Sequence, residues 1–198
     1  MEFADVVRRR HMVRAFDDRP VDPEVLERLL DVARRGPSAG YSQGVDLLVL
    51  EGREQTDRYW SLSFGDGQAR ARFRWQGLFA APVLIVPLVS PAAYSDRYAE
   101  ADKAGTGATP PADWNVPYWW VDGGMATMLL LLAAVDAGLG ALYFTLERPA
   151  DLLAAFAVPD DHRALGTVAV GHPASDSRGR SSPRPRRALG EVVHRGHW

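Results

Sequence analysis

The chain has 198 residues, enough for one domain with a sizeable core, and its formal net charge of −2 argues against a general nucleic-acid binder. It has no cysteine, which removes disulfides and thiolate chemistry, and its five histidines are scattered in no ligand-like spacing, which argues against a metal. The opening Met-Glu-Phe-Ala-Asp lacks the basic and apolar regions of a signal peptide, so a soluble cytoplasmic protein is expected.

Residues 2–10 read as a short helix with Phe3, Val6 and Val7 on one face. It runs into Arg8-Arg9-Arg10-His11-Met12-Val13-Arg14-Ala15-Phe16, with four arginines within seven residues. Such a cluster suits a phosphate or carboxylate. On spacing alone, a solvated basic helix end is the better reading. Asp22-Pro23-Glu24 then starts a helix, with an N-cap Asp and Pro at the first helical position. Val25, Leu26, Leu29, Leu30 and Ala33 keep helical spacing, and Gly36-Pro37 ends the run. Ser38-Ala39-Gly40-Tyr41-Ser42-Gln43-Gly44 is a loop of small and polar residues leading into a short buried strand at 46–51. Residues 53–77 are polar, charged and aromatic, and helical in part. A continuous apolar run at 83–89 predicts a strand covered on both faces, with Pro87 implying a strand end or an edge.

Residues 90–120 form a surface excursion rich in Gly, Pro, Tyr and Trp, with a helix near 91–100. Trp114, Tyr118, Trp119 and Trp120 cluster just before the longest apolar run, and packing as its collar is favoured over stacking on a ligand. That run, between Val121 and Gly140, predicts a helix with Asp122 as N-cap and Gly138 as C-cap. It is apolar on every face, so it is read as a core helix covered by a sheet on one side, and by helices or a second subunit on the other. Its uninterrupted part is shorter than the roughly 20 residues a bilayer requires. A strand or extended turn at 141–145, a short helix at 149–156 and a strand at 165–171 follow. The stretch 175–187 is rich in Ser, Pro and Arg and cannot form a core. Strand-like Leu189, Val192 and Val193 suggest that the tail beyond it is tied down.

Four stretches, in order along the chain, resemble the FMN-dependent nitroreductase family. Arg10-His11-Met12-Val13-Arg14-Ala15-Phe16 is similar to its N-terminal arginine motif. Pro37-Ser38-Ala39-Gly40-Tyr41-Ser42-Gln43 is similar to its Pro-Ser loop, and Asp122-Gly123-Gly124 through Gly138-Leu139-Gly140 to its central helix. Arg184-Pro185-Arg186-Arg187 with the following 189–193 is similar to its C-terminal basic segment. Together they are more specific than any one alone, and they reverse the bland reading of the arginines.

The resemblance implies an α+β fold: an α-β-α sandwich with a mixed central sheet flanked by helices, and the apolar helix at a homodimer interface. It implies one nitroreductase-like domain over 1–198, with 175–198 as an arm exchanged with the partner subunit. Arg10 and Arg14, with His11 and Met12 of the same motif, would lie at the FMN phosphate and ribityl chain. Arg184 and Arg186, or Arg187, would reach the same phosphate. Pro37, Ser38 and Ala39 would lie against the isoalloxazine, with Gln43 bonding near the ring or ribityl. Tyr143, Phe144 and Thr145 would line the ring's other edge. Tyr41, Trp119 and Trp120 would face the substrate.

Met12 stands where the family has a phosphate-binding Ser, Tyr41 where Asn is common, and Gly44-Val45 where Pro-Trp is common. The Glu-Gly often found after the central helix is missing near Thr145-Leu146. The implied chemistry is hydride transfer from NADH or NADPH through FMN to a nitroaromatic, quinone or enone, with no catalytic side chain, no metal, no nucleic acid and no membrane. The alternatives are a flavin sensor or carrier without turnover, a flavin-fragmenting or deazaflavin-using relative, and an adapter whose arginine arm binds an anionic partner. No Gly-x-Ser-x-Gly, triad order or Walker A is present, so hydrolase and phosphotransferase readings are poor.

Overall fold

In the computed structural model the described residues are 1–65, 67–104, 110–175 and 184–198. Two helices open the chain, α1 (Phe3–Arg9) and α2 (Pro23–Ala33). The Asp22 carboxylate caps α2, accepting from the Glu24 and Val25 amides at 2.8 and 3.3 Å, with Pro23 at the first helical position. Leu26, Leu29 and Ala33 are buried on its inner face. In α1 the expected three-residue apolar face reduces to Val6, because Phe3 and Val7 stay exposed. There follow β1 (Val45–Glu51), α3 (Gly52–Phe64), α4 (Gly67–Arg72), β2 (Val83–Val89), α5 (Pro91–Tyr98), α6 (Tyr118–Asp136), β3 (Gly140–Phe144), α7 (Pro149–Ala155), β4 (Arg163–Ala164) and β5 (Thr167–Gly171).

The sheet runs β1-β2-β5-β3, with β4 also paired to β2. All its named strands pair antiparallel, where a mixed sheet was expected. The parallel component is confined to an isolated bridge, Met12 to Ala141, because the N-terminal segment meets β3 over too short a length to count as a strand. β2 is the middle of the sandwich, and its side chains alternate between two cores. Val83 and Ile85 pack with Leu26, Leu29, Leu130, Leu131 and Ala134 of α2 and α6. Leu84, Val86 and Leu88 pack with Tyr59, Trp60 and Leu78 on the opposite face. Burial on both faces is the reason the strand reads as an unbroken apolar run.

Pro87 marks neither an end nor an edge of the sheet. In an antiparallel ladder a residue's N–H and C=O point to the same side, and the Pro87 carbonyl accepts from the Leu165 amide at 3.0 Å. On that side β5 pairs up to Ile85 and β4 begins at Leu88, so the missing N–H of Pro87 faces the gap between two partners. β1 was expected to be buried. It pairs with β2 alone, as an edge strand, and only Leu50 is fully covered.

The central helix α6 begins four residues before Asp122, with Pro117 at its N-cap. Asp122 is therefore not the cap: it lies inside the helix, 2% exposed. The helix ends as expected, one residue displaced, with Ala137 at the C-cap and Gly138 following at φ +76°. Gly123, Ala126, Thr127, Leu130, Leu131 and Ala134 are buried. The opposite face is open in the single chain, with Trp120, Val121 and Met128 between 40% and 47% exposed, where burial all round was expected. Gly123 has a packing reason, since a Cβ there would lie 2.8 Å from side-chain carbons of Leu165 and Val89.

The excursion after β2 contains α5 as expected, plus short 3-10 turns at Ala101–Lys103 and Pro111–Asp113. From Arg184 onward every residue is exposed, and the strand-like stretch near 189–193 is a single 3-10 turn, Leu189–Glu191, with no strand among the described residues to pair with. Residues 176–183, including Arg178 and Arg180 of the arm, lie outside the described residues.

Candidate functional site

The arginine segment is stapled to β3. Val13 donates its amide to Ala141 O at 3.0 Å, Val13 and Phe16 are buried, and the Gly140 backbone lies close against the Val13 side chain. This pairing sets Arg10 to Arg14 beside the Gly138-Leu139-Gly140 turn and the start of β3. Arg9, His11 and Val13 line a cleft of about 430 Å³ with Gly138 to Ala141. His11 Nδ1 lies 2.9 Å from Arg9 O. The Arg14 guanidinium donates to Met12 O at 2.9 Å and lies 5.2 Å from the Trp75 ring centre. Arg10 differs from its neighbours. Its Nη1 is shielded from solvent and has no hydrogen-bond partner among the described residues. A buried cationic donor left unpaired is costly, so this atom suits an anion brought from outside.

Met12 and the post-helix residues are partly engaged in structure. The Met12 thioether accepts from the Tyr143 amide at 3.5 Å and packs against both cores. Tyr143 donates its hydroxyl to Leu165 O at 2.6 Å, and burial raises its phenol. Phe144 stacks on Trp60, with ring centres 5.6 Å apart, inside the α3-side core. Thr145 is exposed.

The Pro37–Gln43 loop is built on a different part of the molecule. Ser38 Oγ accepts from the Gln43 amide at 3.0 Å, and Ser42 Oγ donates to Ala39 O at 2.7 Å. Gly40, Tyr41 and Gln43 all take left-handed backbone, at φ +62°, +59° and +51°. For the two non-glycine residues this is strained, and such strain persists where the surroundings impose it. Here they do. Asp122 Oδ2 accepts from the Ala39 amide at 2.9 Å, and from the Tyr94 hydroxyl at 2.7 Å. Arg97 Nε donates to Gly40 O at 2.9 Å, and Asp102 and Glu100 hold the same guanidinium. A Cβ on Gly40 would lie 2.5 Å from the Tyr98 ring. Burial, then the bond to Asp122, raises the Tyr94 phenol far above its ordinary value, so it stays a proton donor. Pro37 and Gln43 are exposed, and Tyr41 is 73% exposed.

Trp114, Tyr118 and Trp119 pack on one another at the start of α6 in the manner of a collar. Trp114 meets Tyr98 and Tyr118 edge-on at 5.1 Å and stacks on Trp119 at 6.2 Å. Trp119 reaches Tyr94. Trp120 is turned partly to solvent.

The structure does not bring all the expected site residues together. The Ser38 loop is bonded to Asp122 near the start of α6, whereas Met1, beside the arginine segment, is bonded to Asp136 at its end. Those positions are about 21 Å apart along the helix, at 1.5 Å per residue. Arg184, Arg186 and Arg187 are exposed, and Arg187 bonds locally to Glu191 O. Sequence reasoning assigned Asp122 to a cap and missed Tyr94 and Arg97. A carboxylate well inside the run, with only Asp136 at its far end for company, was the available signal, since a buried carboxylate needs donors.

An antiparallel five-stranded sheet between two helical layers, an arginine segment stapled to its edge and a strained Ser-rich loop on the central helix together define an α+β sandwich of the nitroreductase type. The sequence profile of the nitroreductase family matches residues 7–172, and the chain belongs to that family. A protein of Methanothermobacter thermautotrophicus, named by inference NADH dehydrogenase/NAD(P)H nitroreductase, is 24% identical over 181 residues, covering 89% of this chain and 80% of the relative. A nitroreductase family protein of Clostridium difficile 630 shares the fold, with a TM-score of 0.75 at 21% identity over the whole of both chains. So does one of Desulfovibrio desulfuricans, solved in complex with FMN, with a TM-score of 0.71 at 23% identity, over 98% of this chain and 95% of the other.

Proposed function

We propose that the protein is an FMN-dependent oxidoreductase that uses NADH or NADPH to reduce an electron-poor small molecule such as a nitroaromatic, quinone or enone. One observation carries the flavin reading: the buried Nη1 of Arg10, a cationic donor with no hydrogen-bond partner among the described residues. The FMN complex of the Desulfovibrio desulfuricans relative and the name of the Methanothermobacter relative support it.

The residues present fit FMN. Arg10, with Arg14 and His11 beside it, would hold the phosphate through charge-assisted bonds, where arginine's planar fork is the best donor. Arg184, Arg186 and Arg187 would close on it from the arm. Pro37, Ser38 and Ala39 would let the ring approach backbone, Gln43 would bond near it, and Tyr143 and Thr145 would border its other edge. Met12 and Phe144 would act from behind, by holding β3 in place. When bound, FMN supplies two-electron transfer between a nicotinamide and the acceptor. The chain's own work is binding, orientation and exclusion of water, and no side chain need act as nucleophile. Tyr41, Trp119 and Trp120 would border the acceptor.

The open apolar face of α6 and the separation of the two parts of the site support a homodimer, each flavin held by the arginine segment of one subunit and the Ser38 loop of the other. In that arrangement 175–198 is the arm that crosses over. A cytoplasmic location accords with this chemistry.

The test is the visible absorption spectrum of the purified protein, followed by anaerobic addition of NADH or NADPH. Oxidised-flavin bands that bleach support the reductase and name the donor. Bands that persist favour a flavin carrier. No bands after incubation with FMN would sink the flavin reading.

A further inference from the structure

Asp122 is an acidic side chain inside the most apolar helix among the described residues, 2% exposed. A carboxylate is costly there without donors, and a helix of this composition would form without it. Both its bonds converge on one oxygen, and both donors come from outside the helix: Ala39 N–H of the strained loop at 2.9 Å and the Tyr94 hydroxyl of α5 at 2.7 Å. On the next residue the Gly40 carbonyl is held by Arg97 of α5 at 2.9 Å. The loop is thus gripped by a carboxyl oxygen on the Ala39 N–H and by a guanidinium on the Gly40 C=O, one residue apart. Tyr94 also fills the space beside Gly44, where a Cβ would lie 2.6 Å from its ring. The left-handed Tyr41 and Gln43 follow directly from this anchored turn.

We propose that Asp122 is a positioning residue: its carboxylate, through the Ala39 amide, imposes the strained conformation of the 38–43 loop and so presets the loop for the flavin. The loop-ordering part stands on geometry alone. The flavin part rests on the function proposed above.

The experiment measures two quantities on the full-length protein. One is hydrogen exchange of peptides covering 37–44 after removal of any bound flavin, and the other is the dissociation constant for added FMN. Asp122→Ala is expected to speed loop exchange on the order of tenfold and to weaken FMN by a similar factor. Asp122→Asn keeps an oxygen that both donors can use and loses only the charge, so it should fall between wild type and Asp122→Ala. Tyr94→Phe keeps the carboxylate and its bond to Ala39, so loop exchange should stay near wild type even where the melting temperature drops. If Asp122→Ala does not fold, the comparison of Asp122→Asn with Tyr94→Phe carries the test. Loop exchange that follows melting temperature across the variants, with Tyr94→Phe as fast as the Asp122 variants, overturns the proposal in favour of a merely structural carboxylate. Graded loop exchange in a protein whose wild type binds no FMN upholds the ordering role and overturns the flavin reading alone.

Discussion

Two arginine-bearing stretches, 10–14 and 184–187, differ in almost every physical respect. The first is bonded to β3, flanked by the buried Val13 and Phe16, and carries a shielded donor without a partner among the described residues. The second is exposed throughout and makes a local bond to its own turn. The same residue type therefore comes as a rigid, preset donor in one place and as a solvated charge in the other. A preset donor loses little entropy when an anion arrives, whereas an arm must be ordered first. Under the proposed function, the 10–14 segment would be the preset half of the phosphate site and the arm the half ordered on binding.

The largest expected effect tests this difference directly. Arg10→Ala should weaken FMN on the order of 10- to 100-fold, the equivalent of roughly 1.5–3 kcal/mol for a hydrogen bond to a charged group. It should leave the melting temperature of the flavin-free protein unchanged or slightly higher, because it removes a buried unpaired donor. Replacing Arg184, Arg186 and Arg187 together by Ala should weaken FMN by about tenfold or less, since exposed charges contribute little each. Titration of flavin fluorescence measures both. An arm variant more damaging than Arg10→Ala would reverse the ranking, and with it the idea that the 10–14 segment is the preset half.

Met12→Ser sharpens the same contrast from within the first stretch. By resemblance, Ser here is a phosphate ligand, and restoring it should tighten FMN. By geometry, Met12 packs against both cores and receives the Tyr143 amide. Large-to-small replacement at this half-buried position should then cost about 1–2 kcal/mol. That lowers the melting temperature by about 3–6 °C for a chain of this size. FMN affinity should not improve. Thermal unfolding and FMN titration of the one variant separate the two expectations, and tighter binding at unchanged stability would refute the geometric one.

How far each feature could be read from the sequence follows from whether its cause is local. The cap at Asp22-Pro23 depends on four successive residues and lies where it was expected. The two-sided burial of β2 is written in seven apolar residues, though the position of Pro87 between β4 and β5 depends on where two distant strands end. Asp122 was misread because it looks like a cap when only its neighbours in sequence are considered. Its partners, Ala39 and Tyr94, lie 83 and 28 residues away. Leu189, Val192 and Val193 have strand-like composition, but a strand needs a partner edge, and none is present for them among the described residues. The resemblance to the family was legible because its four stretches come in order along the chain. Their assembly was not, since the loop and the arginine segment sit near opposite ends of α6.

The smallest expected effect lies beside β1, at the sheet edge opposite the 10–14 segment. His162 Nε2 lies 3.0 Å from Asp46 Oδ2 on β1 and Nδ1 lies 2.8 Å from Asp161 Oδ1, while Ser90 donates to the other Asp161 oxygen at 3.1 Å. Burial pulls the imidazole pKa down, but the bonds and charges of Asp46 and Asp161 together outweigh it, so the net shift is upward from 6.5. The imidazolium is thus favoured in the folded state. Its contribution is fully present below about pH 6.5 and fades as pH rises through the raised folded value. Asp161 is held below its ordinary value, by His162 first, so its contribution is present above pH 3.8 and fades only as pH falls through that lower value. Between these limits His162 is the group that titrates. Wild type should lose about 1–2 °C of melting temperature between pH 6 and 8 relative to His162→Gln, a small effect because both carboxylates are about half exposed or more. Equal slopes in the two proteins would mean that the ion pairs contribute nothing measurable. A loss of FMN affinity in His162→Gln would mean that this edge is coupled to the site, and the contrast between the two arginine stretches would then not be confined to them.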